Sequence, residues 1–199
     1  MSFRKEKKIR VSISDFNKLQ DQLHTLGMKE LFEPRIINSV YFDTSDLNMF
    51  KDSEEGVIPR KKIRIRWYDS REIFTLETKI SSIEGRYKIG SILNNNIVES
   101  EILTRNCTDK QYGNIQAALK VSYIRSYFML KKMRITFDKD IIYQNLRLLN
   151  KRKYFDPERV IEIKVPADCS DDYIEQFIPY STSRFSKYSR GILLLNDIL

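Results

Sequence analysis

Basic and apolar side chains alternate along Lys62-Ile63-Arg64-Ile65-Arg66-Trp67. Successive side chains of a β-strand point to opposite faces, so this stretch is predicted to be a strand with its arginines on one face and its isoleucines on the other. Five further stretches repeat the arrangement, at residues 3–10, 75–80, 123–128, 133–138 and 161–165. The sequence therefore predicts a sheet with one ionic face and one apolar face.

Length and charge narrow the class of protein. The chain has 199 residues, and we expect a single domain over residues 1–199. Hydrophobic residues make up 41% of the sequence, which is enough for a buried core. The net charge of +8 favours an anionic partner, which could be nucleic acid, an acidic membrane surface or a phosphorylated small molecule.

Several chemistries are excluded or made unexpected by composition. One histidine, His24, cannot build a histidine-based metal site or a Ser-His-Asp triad. Two cysteines, Cys107 and Cys169, lie far apart and are expected to be free thiols. The sequence has no signal peptide and no run of about 18 apolar residues, so a soluble, cytoplasmic protein is expected.

The rest of the chain predicts eight strands and few helices. The strands are expected at residues 3–10, 36–43, 60–68, 72–80, 85–93, 121–130, 133–143 and 160–165. Helices are expected at residues 14–27, within 97–119 with a break near Asn106, and at 171–177 and 184–195. This content predicts an α+β fold, mainly antiparallel β, as a sheet or a barrel. Trp67 and Tyr68 are expected to pack, with stacking on a nucleotide base as the alternative.

Two locations are open for the ionic face. A sheet with one face in solvent shows the same alternation, so an exposed surface is the simpler interpretation. Three features favour an enclosed location. Arginine, which suits bidentate phosphate contacts, recurs at positions 4, 10, 64, 66, 86, 125 and 134. Acids are interleaved at positions 6, 77, 138 and 162, as expected for charge balance and for holding a divalent cation. The apolar faces suit packing under helices, which would leave the cations inside a barrel wide enough for a slender polyanion.

Eight motifs in order resemble those of the triphosphate tunnel metalloenzymes, and among them the VTC domain of polyphosphate polymerases. They are Arg4-x-Glu6-x-Lys8 and the stretches at residues 39–44, 62–68, 76–79, 123–128, 134–138, 161–164 and 185–188. The resemblance implies a closed tunnel of eight antiparallel strands with flanking helices. It also implies that basic residues bind a triphosphate, that an acid holds Mn²⁺ or Mg²⁺, and that the γ-phosphoryl group of ATP is transferred to polyphosphate.

The resemblance also implies roles for particular residues. The residues expected to act on the transferred phosphates are Arg64, Arg66, Lys79, Arg125 and Arg134. Those expected to bind substrate are Arg4, Lys8, Arg86, Lys88, Lys164, Arg184 and Lys187, with Arg86 and Lys88 competing for one position. Glu162 is expected to hold the metal. Glu6 and Glu77 either support the metal or pair with lysines.

Departures from the family leave alternatives. The chain shows no phosphate-sensing SPX module and no membrane segments, so a stand-alone protein is expected and product export is left to a membrane-protein partner. The first strand does not reproduce the paired glutamates of the related CYTH branch, which favours a polymerase. The alternatives are a triphosphatase on the same fold and a non-catalytic binder of polyphosphate or nucleic acid. No RNA-binding aromatic motif is present, so nucleic acid is not the expected partner.

Overall fold

The computed structural model describes residues 4–69, 73–93, 96–148 and 152–195. Ten strands and five helices lie within these ranges. The strands are β1 (Arg4–Val11), β2 (Lys29–Asp43), β3 (Arg60–Tyr68), β4 (Thr75–Ser82), β5 (Gly85–Ile92), β6 (Asn106–Asp109), β7 (Gly113–Leu130), β8 (Met133–Asn145), β9 (Lys153–Phe155) and β10 (Arg159–Pro166). The helices are α1 (Ile13–Thr25), α2 (Asn48–Glu55), α3 (Glu99–Leu103), α4 (Asp171–Glu175) and α5 (Lys187–Leu195).

Eight of the described strands follow one another in the order β1-β10-β8-β7-β2-β3-β4-β5. The two short strands lie off this path, with β6 paired to β7 and β9 paired to β8. Strand pairs whose register is defined, such as β1 with β10 and β3 with β4, are antiparallel. The prediction of a mainly antiparallel β fold with few helices is confirmed.

The prediction of a closed eight-stranded tunnel barrel is wrong. Strands β1 and β5 stand at the two ends of the strand order, and no pairing joins them in the described ranges. The sheet is therefore open. Alternation along a strand reports only which face a side chain occupies, and an open sheet produces the same pattern as a closed one.

The chain forms two compact units. The first unit comprises Met1–Arg35, Tyr123–Ile141 and Asp156–Phe185, and the second comprises Ile36–Ser122, Ile142–Phe155 and Ser186–Leu199. Strands β2, β7 and β8 each contribute residues to both units. The expectation of one domain stays a prediction.

Helix α1 covers the apolar face of the first unit. The Ser12 hydroxyl caps the helix by accepting a hydrogen bond from the backbone N–H of Asp15 at 3.1 Å. Its buried Leu19 and Leu23 share one core with Ile9 of β1 and with apolar residues of β8 and β10. Each such side chain contributes about 1.5–3 kcal/mol on burial. Because this face is covered by helix, the charged residues at alternate positions lie on the opposite face of the same strands.

The second unit has its own core. Val40, Ile63 and Ile65 are buried together with apolar residues of α2, α3 and β7. Trp67 belongs to this core, is only 3% exposed, and meets the ring of Phe74 edge to face at 5.3 Å. Trp67 is therefore a packing residue. As in the first unit, burial of the isoleucines places the alternating arginines of β3 on the other face.

Two helix predictions are wrong in extent. Only α3 is helical within residues 97–119, and a β6–β7 hairpin follows it. The turn of this hairpin ends at Gly113, whose φ of 72° is readily adopted only by glycine. The last helix begins at Lys187, where the Ser186 hydroxyl accepts a hydrogen bond from the backbone N–H of Ser189. Arg184 precedes the helix and does not lie one turn before Lys187 on it.

Candidate functional site

The charged residues form one face in each unit. In the second unit they occupy β2, β3, β4 and β5, and we call this surface the β3–β4 face. In the first unit they occupy β1, β10 and β8, and we call this surface the β10 face. Each face is described separately below.

Strand register brings the charges of the β3–β4 face together. Arg64 stands opposite Tyr41 on β2 and Glu77 on β4. One pair further along β3, Arg66 stands opposite Ser39. In the other direction, lysines from three strands stand in a row, at positions 62, 79 and 88. Like charges placed opposite one another destabilise a sheet, so this row has a cost that folding alone does not explain.

Glu77 is the counter-ion at the centre of this face. Its carboxylate is 4% exposed and accepts hydrogen bonds from Arg64 Nε at 2.7 Å and from Lys88 Nζ at 2.7 Å. The Arg66 Nη1 atom lies 4.0 Å from the same carboxylate. Burial raises the pKa of Glu77, but Arg64 and Arg66 more than offset it and lower the pKa to about 2. Glu77 is therefore ionised, and its position favours pairing with cations over metal support.

The pKa of Tyr41 indicates that the β3–β4 face has more positive charge than Glu77 balances. Its hydroxyl accepts a hydrogen bond from Arg64 Nη1 at 2.9 Å, and its ring is buried. Burial raises the pKa of Tyr41, but Arg64, Arg66 and Lys79 outweigh it and lower the pKa to about 7. A phenol shifted this far lies among cations that the Glu77 carboxylate does not neutralise. The β3–β4 face therefore carries an excess of positive charge around Tyr41.

The other predicted cations of this unit lie on or beside the same face. Arg86 and Lys88 are two residues apart on β5, so both point to this face, Arg86 opposite Ser81 and Lys88 opposite Lys79. The alternatives for one phosphate position are thus neighbours, and Lys88 is the one that contacts Glu77. Lys187 is the first residue of α5.

The β10 face carries both charges in alternation. Across β1 and β10, Glu6 stands opposite Lys164 and Lys8 stands opposite Glu162. Across β10 and β8, Glu162 stands opposite Thr136. Each acid therefore has a lysine as its cross-strand neighbour, which is a stabilising arrangement.

The carboxylates of this face are held in their ionised form. Lys8 Nζ lies 3.0 Å from Glu6, and Lys164 Nζ lies 2.9 Å from Glu162. Burial raises the pKa of Glu162, but Arg125, Lys164 and Lys8 outweigh it and hold the pKa well below its usual range. Burial and the neighbouring Glu162 raise the pKa of Glu6, yet Lys8 and Lys164 bring it below the ordinary value. Both glutamates are negative at neutral pH.

Arg125 is engaged by a buried acid. Asp138 is fully buried and accepts two hydrogen bonds from Arg125, from Nε at 2.6 Å and from Nη2 at 2.7 Å. Burial lowers the pKa of Arg125, but Asp138 raises it well above the ordinary value. Arg125 Nη2 lies 3.7 Å from Glu162, beyond hydrogen-bond distance. The predicted phosphate ligand is thus oriented by Asp138, which the sequence indicated only as an interleaved acid.

The other predicted residues of the first unit are Arg134, Arg184 and Arg4. Arg134 stands opposite Lys164, with its guanidinium carbon 5.9 Å from the ring centroid of Tyr127. Arg184 is exposed in the segment before α5. Arg4 begins β1, and its side chain lies outside the described residues.

The donor set of the β10 face fits a hard divalent cation. No group of three or more histidine, cysteine, aspartate or glutamate side chains is placed to hold a metal in the ranges that the structure describes. Mg²⁺ is usually bound through one or two carboxylates, with water and substrate phosphates completing its shell. Glu162 and Glu6 are the two carboxylates of this face that would serve in this way. Beside Glu162, the Thr136 hydroxyl is a buried oxygen without a hydrogen-bond partner in the described chain.

Two residues of these faces were given no role from sequence. Tyr41 lies in the predicted second strand two positions after Ser39, and this alternation could have placed it beside Arg64. Thr136 lies between Arg134 and Asp138 in the same alternation. The hydrogen bond to Tyr41 comes from Arg64 on another strand, and the surroundings of the Thr136 hydroxyl are set by neighbouring strands, so neither is visible in the local pattern. Separately, none of the helices in the described ranges has the length and apolar character needed to cross a membrane.

The chain belongs to the VTC-domain family, whose pattern it matches over residues 3–196. The resemblance stated from the motifs is confirmed. No match is found among curated proteins.

Solved structures show that the fold is shared with proteins of distant sequence. A proposed adenylate cyclase from Bacillus halodurans has 16% identity and a TM-score of 0.60, over 93% of this chain and 94% of that one. A proposed adenylyl cyclase from Hippeastrum, with a dominant triphosphatase activity, has 14% identity and a TM-score of 0.60, over 95% of both chains. A Pyrococcus horikoshii protein has 17% identity and a TM-score of 0.54, over 97% of this chain and 99% of that one. At these identities the similarity concerns the fold alone.

Proposed function

We propose that this chain is a metal-dependent polyphosphate polymerase, which transfers the γ-phosphoryl group of ATP to a growing polyphosphate chain. The observation that carries the proposal is the excess of positive charge on the β3–β4 face. There, cations of three strands surround one buried carboxylate and lower the pKa of Tyr41 to about 7. Membership of the VTC-domain family supports the polymerase in particular.

Arginines perform the main work in this proposal. Phosphoryl transfer requires positioning and charge stabilisation more than covalent chemistry by the protein, so no nucleophilic side chain is needed. Arg64 is held by Glu77 and Tyr41, and Arg125 is held by Asp138, so both guanidinium groups are oriented before substrate binds. We assign contacts with the β- and γ-phosphates to Arg64, Arg66, Lys79, Arg125 and Arg134.

The carboxylates of the β10 face complete the proposed machinery. Glu162, supported by Glu6, would hold Mn²⁺ or Mg²⁺, which when bound neutralises charge on the phosphate oxygens. Lys8 and Lys164 balance the two glutamates and remain near them as cations for substrate. ATP and polyphosphate are the proposed partners, and a membrane-protein partner for product export stays a prediction.

A triphosphatase is the second candidate. The Hippeastrum protein of the same fold has a dominant triphosphatase activity. The same arginines and carboxylates would serve hydrolysis, with water in place of the polyphosphate acceptor. The two activities thus differ in the acceptor and not in the residues that bind the triphosphate.

The products formed from ATP distinguish the candidates. Purified protein is incubated with γ-labelled ATP and Mn²⁺, and the products are resolved by chain length, with Glu162→Gln as the inactive control. The proposal expects labelled chains that lengthen with time. Release of labelled phosphate alone would establish the triphosphatase. Absence of turnover, with RNA bound tightly and not displaced by tripolyphosphate, would establish a non-catalytic binder.

A further inference from the structure

Thr136 is a buried polar residue whose hydroxyl has no hydrogen-bond partner in the described part of the chain. Its side chain is 5% exposed, and its Oγ1 atom has no hydrogen-bond partner within the described residues. An unpaired buried hydroxyl costs free energy, because its hydrogen bonds to water are lost and not replaced. Such a group calls for a partner that the protein itself does not supply.

The position of Thr136 shows which residues would surround that partner. Thr136 stands directly opposite Glu162 across β8 and β10, so their β-carbons are about 4.5–5.5 Å apart on the same face. Along β8 it lies between Arg134 and Asp138, which share its face. The hydroxyl is therefore on the β10 face, next to the carboxylate that is proposed to hold a metal.

Glu162 retains an oxygen with room for a further partner. Its Oε1 atom lies 2.9 Å from Lys164 Nζ. Its Oε2 atom lies 3.7 Å from Arg125 Nη2, which already donates to Asp138 at 2.7 Å. That distance is too long for a hydrogen bond, so lone pairs of Oε2 are not used by Arg125. A carboxylate and a hydroxyl thus occupy directly opposed positions on the same face.

We propose that the Thr136 hydroxyl is a ligand of the divalent cation that Glu162 would hold, which rests on the proposed function above. Hard cations such as Mn²⁺ and Mg²⁺ take oxygen ligands, and a neutral hydroxyl adds one without adding charge. The remaining ligands are water and phosphate oxygens of the substrate. Thr136 is thereby a metal-binding residue, and its unpaired state in the folded chain is explained.

Two variants isolate the hydroxyl. Thr136→Val keeps the shape of the side chain and removes the oxygen, whereas Thr136→Ser keeps the oxygen and removes the methyl group. In chelator, Thr136→Val is expected to melt at the same temperature as the wild type or higher, since an unpaired hydroxyl is removed. A melting temperature below the wild-type value in chelator would show that the hydroxyl is already bonded in the free protein, and would overturn the proposal.

Calorimetry of tripolyphosphate binding provides the test, once in chelator and once in excess Mn²⁺. In wild type, Mn²⁺ is expected to tighten binding. Thr136→Val is expected to lose about tenfold of this enhancement, with its metal-free affinity unchanged, and Thr136→Ser is expected to retain it. The readout is the binding affinity for tripolyphosphate, which is measured separately from ATP-dependent turnover.

Each of the other outcomes overturns the proposal and shows which of its assumptions is wrong. If Glu162→Gln loses the enhancement and Thr136→Val keeps it, the metal assignment of Glu162 stands and that of Thr136 fails. If Thr136→Val weakens metal-free binding equally, the hydroxyl contacts phosphate and not the cation. If Mn²⁺ does not tighten binding to wild type, the metal-dependent function fails together with the inference.

Discussion

Tyr41 connects the charge of the β3–β4 face to the packing beneath it. Its hydroxyl accepts a hydrogen bond from Arg64, and its ring stacks on Tyr188 at 5.0 Å between centroids. Tyr188 is fixed in turn, because its hydroxyl donates to Asp43 and that carboxylate accepts backbone N–H groups at the start of α2. Tyr41 is therefore fixed by packing and orients Arg64. Its ionisation would offset part of the positive charge beside Arg64.

Tyr41→Phe should remove a pH dependence. The pKa of Tyr41 falls from 10.0 to about 7 in the folded chain, so the folded state favours tyrosinate. The stability that this ionisation contributes is fully present above pH 10.0 and is lost as pH falls through about 7. Denaturant unfolding should show the free-energy difference between wild type and Tyr41→Phe growing from pH 7 upward. Tripolyphosphate affinity should fall over the same range in wild type more than in the variant, because tyrosinate offsets a cation.

Tyr87→Phe is the control for this prediction, because it removes the phenol of a tyrosine that is 47% exposed on β5. A difference between wild type and Tyr41→Phe that does not change with pH would contradict the charge assigned to this face.

The side chains that the sequence placed correctly are those whose face follows from alternation alone. Arg64 and Arg66 are two positions apart on β3, so alternation alone places both on the face opposite the buried Ile63 and Ile65. The position of Glu77 on the same face also depends on the pairing of β3 with β4. The pairing of Arg125 with Asp138 and the unpaired state of Thr136 were not predictable. Arg125 and Asp138 lie 13 positions apart on the consecutive strands β7 and β8, and their contact depends on the register of that pair. The surroundings of Thr136 also depend on β10, which is more distant in sequence. The alternation within a single strand contains neither.

Helix α5 supports the β3–β4 face through tight packing. A β-carbon built on Gly191 would lie 2.5 Å from Tyr143 Cδ1 and 2.7 Å from Leu119 Cδ2. Tyr143 and Leu119 are fully buried, so neither can move aside without disturbing the core. Glycine is therefore required here by the close approach of helix and sheet. The same helix carries Tyr188, the base on which Tyr41 stacks.

Gly191→Ala should destabilise the protein and loosen the face. Overpacking typically costs about 1–3 kcal/mol, which exceeds the gain of about 0.5–1 kcal/mol that alanine brings to a helix interior. Urea unfolding should show the net loss, and calorimetry should show weaker tripolyphosphate binding, since a displaced α5 moves Tyr188. Gly90→Ala on β5 is the matched control, because its β-carbon would meet nothing closer than 3.8 Å. Equal stability of the two variants would refute the packing argument.

The extent of the elements was less predictable than their existence. Residues 113–119 lie within the stretch 97–119, which was expected to be helical. In the structure Ile115, Ala117, Leu119 and Val121 are all buried, the period-two pattern of a strand, and Ala118 is buried as well. Because Ala118 is apolar on the face opposite Ala117 and Leu119, these three residues interrupt the alternation of a strand, and periodicity did not separate the stretch from a helix.

At the level of the whole molecule, the net charge of +8 attracts any polyanion, and a charge effect alone could mimic a specific site. Membership of the VTC-domain family supports the proposed phosphoryl chemistry, but the open strand order removes the closed barrel from which enclosure was expected. The proposed function therefore depends on where the positive charges lie. A valid test compares two variants that have the same net charge but lose a cation at different places.

ATP-dependent turnover of Arg66→Ala and of Lys132→Ala is that test, because each variant removes one positive charge from the same total. Arg66 lies on the β3–β4 face, whereas Lys132 is exposed in the turn between β7 and β8. Loss of one charge-assisted phosphate contact costs about 1.5–3 kcal/mol, so Arg66→Ala should lower turnover by about one to two orders of magnitude with its fold retained. Lys132→Ala should match the wild type. Turnover of Arg66→Ala equal to that of Lys132→Ala would contradict the assignment of the β3–β4 face to phosphate binding.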